Sequence, residues 1–193
     1  MKVSRQQAGE NRVRVLNLAS RRFRERGFQG VSVADLMQEA GLTHGGFYKQ
    51  FESKEDLIAQ ACALAISDNL EAYKQLAARN RRRAVKAIAT ELLSAIHRDD
   101  PAEGCVIAAL GAEVSRADPA TRHQVTNGIN DILDLLAGLM PGRSEKEARQ
   151  KAVAAYTTII GAILLARAVD DPKMSDEILK TARTSVMAMA AVS

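Results

Sequence analysis

Thr43, His44, Tyr48 and Lys49 fall within a seven-residue stretch and offer hydroxyl, imidazole, phenol and ammonium groups. That donor set suits the phosphate oxygens and base edges of nucleic acid. Lys49 has the chemistry to reach guanine O6 or N7, or to face a phosphate instead. Phe47 and Phe51, four apart, belong on the opposite face of the same short element, where they can anchor it. Gly45 and Gly46 between them each cost about 1 kcal/mol relative to Ala in a helix. They suit a backbone that approaches a duplex closely, and they equally suit relief of crowding near a cap. The remaining reactive groups are sparse. The thiols Cys62 and Cys105 and the imidazoles His44, His97 and His123 are scattered, without the close spacing of a zinc site. No glycine-rich phosphate loop follows a strand, and there is no nucleophile–base or paired-carboxylate signature. The expectation is a protein that is not an enzyme and carries no metal or cofactor.

The elements that must position these groups are helical. Aromatic residues make up 4% of the 193-residue chain, with no Trp and four Pro, while apolar residues reach 47% and charged ones 26%. Such a chain folds throughout and favours helix over strand. Val13, Leu16, Ala19 and Phe23 mark a first helix that Gly27 ends. Ser32 caps a second over Val33–Ala40, with Val31 and Leu36 at staple positions, and Gly41 stops it. Thr43 opens a short third helix over His44–Phe51, and Ser53 opens a long fourth reaching Leu76. A stripe of Val85, Ile88, Ala89, Leu92 and Ile96 defines a fifth, ending at Asp99-Asp100-Pro101. Cys105–Val114 and the stripe from Val125 to Met140 give two more. Ser144 and Glu147 open an eighth helix of some 25 residues, and Ser175 opens the last. The count is nine. A tight turn between the second and third of three short helices is a helix-turn-helix arrangement, which places the later helix in the major groove.

Charge agrees with this placement. The formal net charge is +4, but the first 26 residues hold eight Lys/Arg (Lys2, Arg5, Arg12, Arg14, Arg21, Arg22, Arg24, Arg26) against Glu10 and Glu25, a net +6. The other 167 hold 19 against 21, a net −2. An anionic partner is expected at the N-terminal end. Two cysteines and no signal-peptide pattern point to a cytoplasmic location. The apolar window Ala152–Val169 carries Tyr156, Thr157, Thr158 and Arg167, which favours a buried or interface helix over a membrane span.

Three blocks carry a family resemblance: Gly27-Phe28-Gln29-Gly30-Val31-Ser32-Val33, Ala40-Gly41-Leu42-Thr43-His44-Gly45-Gly46-Phe47-Tyr48-Lys49-Gln50-Phe51, and Ser53-Lys54-Glu55-Asp56-Leu57. In that order and spacing they resemble the N-terminal domain of the TetR family of bacterial transcriptional regulators. The resemblance implies an all-α homodimer. Residues 1–52 would form a three-helix helix-turn-helix DNA-binding domain, and residues 53–193 a ligand-binding and dimerisation domain. It puts Tyr48 and Lys54 at phosphate-contacting positions, with Ser32 and Thr43 on the backbone, and His44, Gly45, Gly46 and Lys49 where base-edge or adjacent phosphate contacts are made. Gln50 departs from the pattern, which often has His there. The implied function is repression through palindromic operator DNA, released by a small-molecule inducer.

In the C-terminal part, Gly104-Cys105-Val106-Ile107, Glu113-Val114 and Ala166-Arg167-Ala168-Val169-Asp170-Asp171-Pro172 resemble one subgroup in which some members use a cysteine at this point to sense electrophiles or oxidants. A thiol-sensing repressor acting through Cys105 is therefore the alternative to a pocket-ligand sensor. Cys105 also fits an ordinary small buried hydrophobe. Met140 and Tyr156 are the other candidate sensing residues. Ile160, Gly161 and Leu164 of the eighth helix, with Ile178 and Val186 of the last, are the expected two-fold interface.

Overall fold

The computed structural model describes residues 5–191, and Lys2 of the basic end lies outside them. Nine α-helices and two 3₁₀ segments make up the described residues, which contain no strand. They are α1 (Arg5–Arg26), α2 (Val33–Glu39), the 3₁₀ segment His44–Lys49, α3 (Lys54–Arg79), a 3₁₀ turn Arg81–Arg83, α4 (Ala84–Leu92), α5 (Ala95–Asp99), α6 (Val106–Val114), α7 (Pro119–Ala137), α8 (Glu145–Ala168) and α9 (Pro172–Met189).

Sequence-coded caps set most of the boundaries. Ser32, Ser53 and Ser144 each accept a hydrogen bond from the backbone N–H three residues on, and Asp118 and Asp171 cap α7 and α9 with Pro in the first turn. Gly27 (φ 75°) and Gly41 (φ 68°) adopt the left-handed conformation expected of helix-ending glycines. A Cβ at Gly27 would also stand 2.6 Å from Glu113 Oε1, so any larger residue there would have to displace the Glu113 carboxylate.

Packing is organised around α3, which lies against α1 and α7, while α8 packs between α7 and α9. One continuous hydrophobic cluster runs from Val15 and Phe23 through Leu57, Ile88, Leu110 and Ile132 to Ile163 and Val186. α8 is the one described helix long and apolar enough to cross a membrane. Its residues Ala152, Tyr156, Ile159 and Ile163 are buried against neighbouring helices.

The structure corrects the sequence reading at several places. The third element is a 3₁₀ segment, with Gly46 N–H on the Thr43 carbonyl at 2.9 Å and no side-chain cap from Thr43. Two consecutive glycines weaken the α-helical alternative in so short a piece. The expected fifth helix is split. Leu93 leaves helical geometry and stays buried, and Ser94 starts α5 by accepting from His97 N–H at 3.1 Å. Ile96, placed in the apolar stripe, consequently stands 83% exposed. The last helix begins at Pro172, so Ser175 lies inside it, buried and donating to the Ala166 carbonyl at 2.7 Å. On α1, Val13 points to solvent while Asn11, Val15, Ala19, Ser20, Phe23 and Arg24 are buried.

Candidate nucleic-acid interface and sensing cluster

Phe47 is the residue that holds the 3₁₀ segment in place. It is 1% exposed, stacks on Phe51 with centroids 5.4 Å apart, and meets Tyr48 edge-on at 5.2 Å. Phe51 is in turn covered by the Arg12 guanidinium, 4.8 Å above its ring, and Arg12 donates to Gln60 Oε1 at 2.6 Å. The segment therefore packs on α2, its buried Phe47 is stacked on Phe51, which Arg12 of α1 covers, and its other face is left to solvent.

That outer face carries the expected donors. Tyr48 is 67% exposed, and Thr43, His44, Gly45 and Lys49 are exposed beside it, with the His44 and Tyr48 rings 6.0 Å apart. Gly45 has open space where a side chain would be. At Gly46 an added Cβ would meet Met37 and Thr43 only at ordinary van der Waals distance, 3.5 Å, so crowding does not account for that glycine. Lys54 is half-buried in the first turn of α3. Ser32 is exposed, and its hydroxyl both caps α2 and donates to Asp35 Oδ2 at 2.7 Å. Gln50 turns inward and donates to the Gly46 carbonyl at 3.4 Å.

The basic α1 is less free than its charge suggests. Arg12 serves the core just described, Arg14 donates to Asn11, Arg22 pairs with Glu25 and Glu39, and Arg21 meets Glu103 at 2.7 Å. Arg24 is buried. Arg26 remains exposed near the turn.

A second constellation lies at the start of α6. Cys105 is 1% exposed and occupies the N-cap position. Its backbone N–H donates to His97 Nε2 at 3.3 Å, and its Sγ lies 3.9 Å from the Tyr156 hydroxyl. Arg167 reaches over from α8 to donate to the carbonyls of His97 and Arg98 at 2.8 and 2.9 Å. Burial, reinforced by the Arg167 charge, pulls the His97 pKa down to about 4. The ring is therefore neutral at physiological pH and accepts from Cys105 through Nε2.

A folded-state pKa below the ordinary 6.5 means that the unfolded chain binds the proton more tightly. His97 then contributes stability that is whole above about pH 6.5 and is lost as pH falls towards 4. Discounted for the ring's partial exposure, the loss is roughly 1–2 kcal/mol. Denaturant midpoints from pH 7 to pH 4 should show it, with a shallower decline in His97→Gln; parallel profiles would contradict the assignment.

Cys62 is different. It is buried in an apolar setting that pushes its thiol up to about 12, so it stays protonated and unreactive. Met140 closes the α7–α8 turn, at the other end of α8 from Arg167, so Cys105 and Tyr156 are the two expected sensing residues that the structure places in contact. His97 and Arg167 were missed as members of this cluster. The Gly-Cys and Arg-Ala-Val-Asp-Asp-Pro runs contain Cys105 and Arg167, but nothing in their spacing shows that they meet.

A family model for bacterial regulatory proteins of the tetR family matches residues 15–61, and one for the C-terminal domain of LmrA/YxaF-like transcriptional regulators matches residues 82–182. The chain belongs to the TetR family. Among curated TetR relatives, the transcriptional repressor NemR of Escherichia coli K12 is 26% identical over 153 residues, 74% of this chain and 77% of that one. The transcriptional regulator YerO of Bacillus subtilis is 30% identical over 67 residues, and the repressor KstR2 of Rhodococcus jostii 29% identical over 87. The chain spans less than half the length of these two, 23% and 43%. The reduced form of E. coli NemR shares the TetR fold with a TM-score of 0.81 at 23% identity, covering 95% of this chain and 98% of that one. A TetR-family regulator from Agrobacterium tumefaciens gives 0.78 at 20%, covering 95% and 100%.

Exposed apolar surface on this TetR chain collects on its last two helices. Leu164, Leu165 and Met174 are each about half exposed, and Gly161, Leu165, Met174, Ile178 and Thr181 line a groove of about 580 Å³. Ile160, Gly161 and Ile178 are partly exposed. Val186 has no exposed surface at all, so it packs inside the protomer and offers nothing to a partner.

Proposed function

We propose that the protein is a cytoplasmic, homodimeric transcriptional repressor that binds palindromic operator DNA and is released from it by thiol chemistry at Cys105. Residues 1–52 are the DNA-binding head and residues 53–193 the regulatory and dimerisation body. Tyr48 and Lys54 contact phosphates with Ser32 and Thr43, while His44, Gly45, Gly46 and Lys49 meet base edges or adjacent phosphates. The exposed face of α8 and α9, with Leu164 at its centre, joins the two copies, so that the two heads read half-sites one DNA turn, roughly 34–36 Å, or somewhat more apart.

The observation that carries the thiol reading is the Cys105 cluster. The sulfur lies against a buried phenol, its amide rests on a neutral imidazole, and a guanidinium braces the backbone of that imidazole. NemR, a repressor whose fold this chain shares and whose structure is that of a reduced form, adds support. Expected absences, of a metal and of a membrane partner, belong to the same proposal.

A mobility-shift assay on the protein's own promoter tests both halves. Tyr48→Phe with Lys54→Ala is expected to weaken binding about tenfold or more. The plot of log K against log salt should flatten by about 0.9 for each phosphate that is no longer neutralised, close to 2 for a dimer. Unchanged affinity and slope would sink the DNA assignment. Cys105→Ser is expected to bind operator normally and to stay bound under peroxide or electrophile. A Cys105→Ser protein that still lets go would return the sensor to a non-covalent inducer in the helical core.

A further inference from the structure

Unpaired positive charge collects at a corner of the body, where α3 ends and α4 begins. Residues 72–90 hold Lys74, Arg79, Arg81, Arg82, Arg83 and Lys86 and no carboxylate, a net +6 that equals the charge of the first 26 residues. On α1 most arginines meet the protein's own carboxylates, amides and rings. At the corner they do not. Arg79, Arg82, Arg83 and Lys86 are exposed, and among the described residues none of their side chains makes an ion pair or a hydrogen bond. The cluster is also held in place. Arg81 Nη2 donates to the Gly138 carbonyl at 2.7 Å, which fastens the 3₁₀ turn Arg81–Arg83 to the end of α7, and the Asn80 side chain accepts the Arg83 N–H at 3.2 Å.

Folding gives no reason for this set. Arg81 and Arg82 lead directly into α4, Arg83 is its N-cap residue without a side-chain cap bond, and Lys86 stands in its first turn, which has no acidic residue. Cations at that end of a helix oppose its macrodipole, each at a cost of about 0.3–1 kcal/mol, and crowded like charges repel one another besides. A polyanion laid across the corner relieves both penalties.

We propose that this corner binds the phosphate backbone of a second DNA segment while the heads hold operator, so that one dimer bridges two duplexes. The proposal rests on the heads binding operator. α3 runs 26 residues from Lys54 to Arg79, about 38 Å, and so carries the corner away from the duplex seated on the head. Guanidinium groups pair with phosphate oxygens in a bidentate manner, and no large apolar or aromatic side chain is exposed within residues 72–90. The corner therefore lacks the apolar anchor that a protein interface core or an inserted lipid contact uses. With no base reader beside them, the arginines grip DNA of any sequence. A dimer already seated on operator meets neighbouring segments of the same chromosome at high effective concentration.

A bead-capture assay separates the outcomes. Protein is loaded on an immobilised duplex of operator length, unbound protein is washed away, and a fluorescent duplex without operator is added. Wild type is expected to hold the second duplex on the bead. Arg79→Gln with Arg82→Gln and Arg83→Gln, which leaves Arg81 on Gly138, is expected to keep operator affinity within about twofold and to capture at least tenfold less of the second duplex. The triple lysine variant, which keeps the charge, should recover part of the capture. Capture should also fall with salt, the log–log slope flattening by about 0.9 for each phosphate no longer neutralised. Equal capture by the glutamine variant, or none by operator-bound wild type, would overturn this inference and leave the operator reading standing. Loss of operator affinity in the glutamine variant would assign the arginines to the first duplex and overturn it as well. Capture of anionic phospholipid vesicles in place of DNA would give the corner to a membrane, with the same result. Failure of wild type to bind operator would overturn both readings.

Discussion

Phe47→Ala is expected to abolish operator binding by dismantling the head while the body stays folded. The side chain is 1% exposed and is the sole fully buried ring of the 3₁₀ segment, stacked on Phe51. Truncating such a ring costs roughly 3–5 kcal/mol through lost transfer energy and the cavity left behind. The segment has little to set against that, with two glycines, a short 3₁₀ ladder and no side-chain cap. Phe47→Leu keeps most of the volume and should cost much less. Hydrogen exchange would localise the effect, with protection lost over residues 33–51 and kept in α7 to α9. Uniform loss through the whole chain would show instead that head and body unfold as one unit, as the continuous hydrophobic cluster between them permits.

Leu164→Glu is expected to convert the proposed dimer to monomers. Leu164 is 48% exposed on α8, beside the apolar groove that α8 shares with α9. In a two-fold interface the change is made twice, so two carboxylates enter the proposed apolar contact. A loss of about 2.7 kcal/mol raises the dissociation constant a hundredfold, and an unpaired buried charge exceeds that. Sedimentation should show the monomer at micromolar concentration, with circular dichroism unchanged. Half-site affinity would remain, while full-operator affinity collapses because the second head no longer binds as part of one molecule. Val186, fully buried within the protomer, should behave oppositely: Val186→Ala lowers stability and leaves association nearly intact.

Together these changes test a division of labour in which the small head reads DNA and the body senses and dimerises. How that division is written into the chain differs from one part to the next. The head was legible because its signals are local. Ser32 and Ser53 cap through their own side chains, Gly27 and Gly41 turn the chain where only glycine is comfortable, and the Phe47–Phe51 pair follows from a spacing of four. The expected nine-helix all-α architecture also follows from caps and stripes, since both depend on residues within one or two turns.

What failed locally failed for tertiary reasons. Ile96 extends a good apolar stripe, yet it is exposed because Ser94 starts a new helix with a different facing. Ser175 has the look of a cap, yet it is buried as a link between α9 and α8 because Asp171 caps first.

By itself the sequence determined the helices, the tight turn, the outward set of Tyr48, Lys49, His44 and Thr43, and a Cys105 worth watching. The tertiary structure alone decided the destinations of long-range partners. It spends the Arg12, Arg21, Arg22 and Arg24 charges on the protein's own carboxylates, rings and interior. It also gathers Cys105, His97, Tyr156 and Arg167, from positions up to 70 residues apart in the chain, into one buried cluster. The physical reason is the same in both cases. A cap or a periodic stripe is satisfied by near neighbours along the chain, whereas the partner of a buried charge or thiol is set by how helices pack, and packing brings together residues that no spacing rule connects.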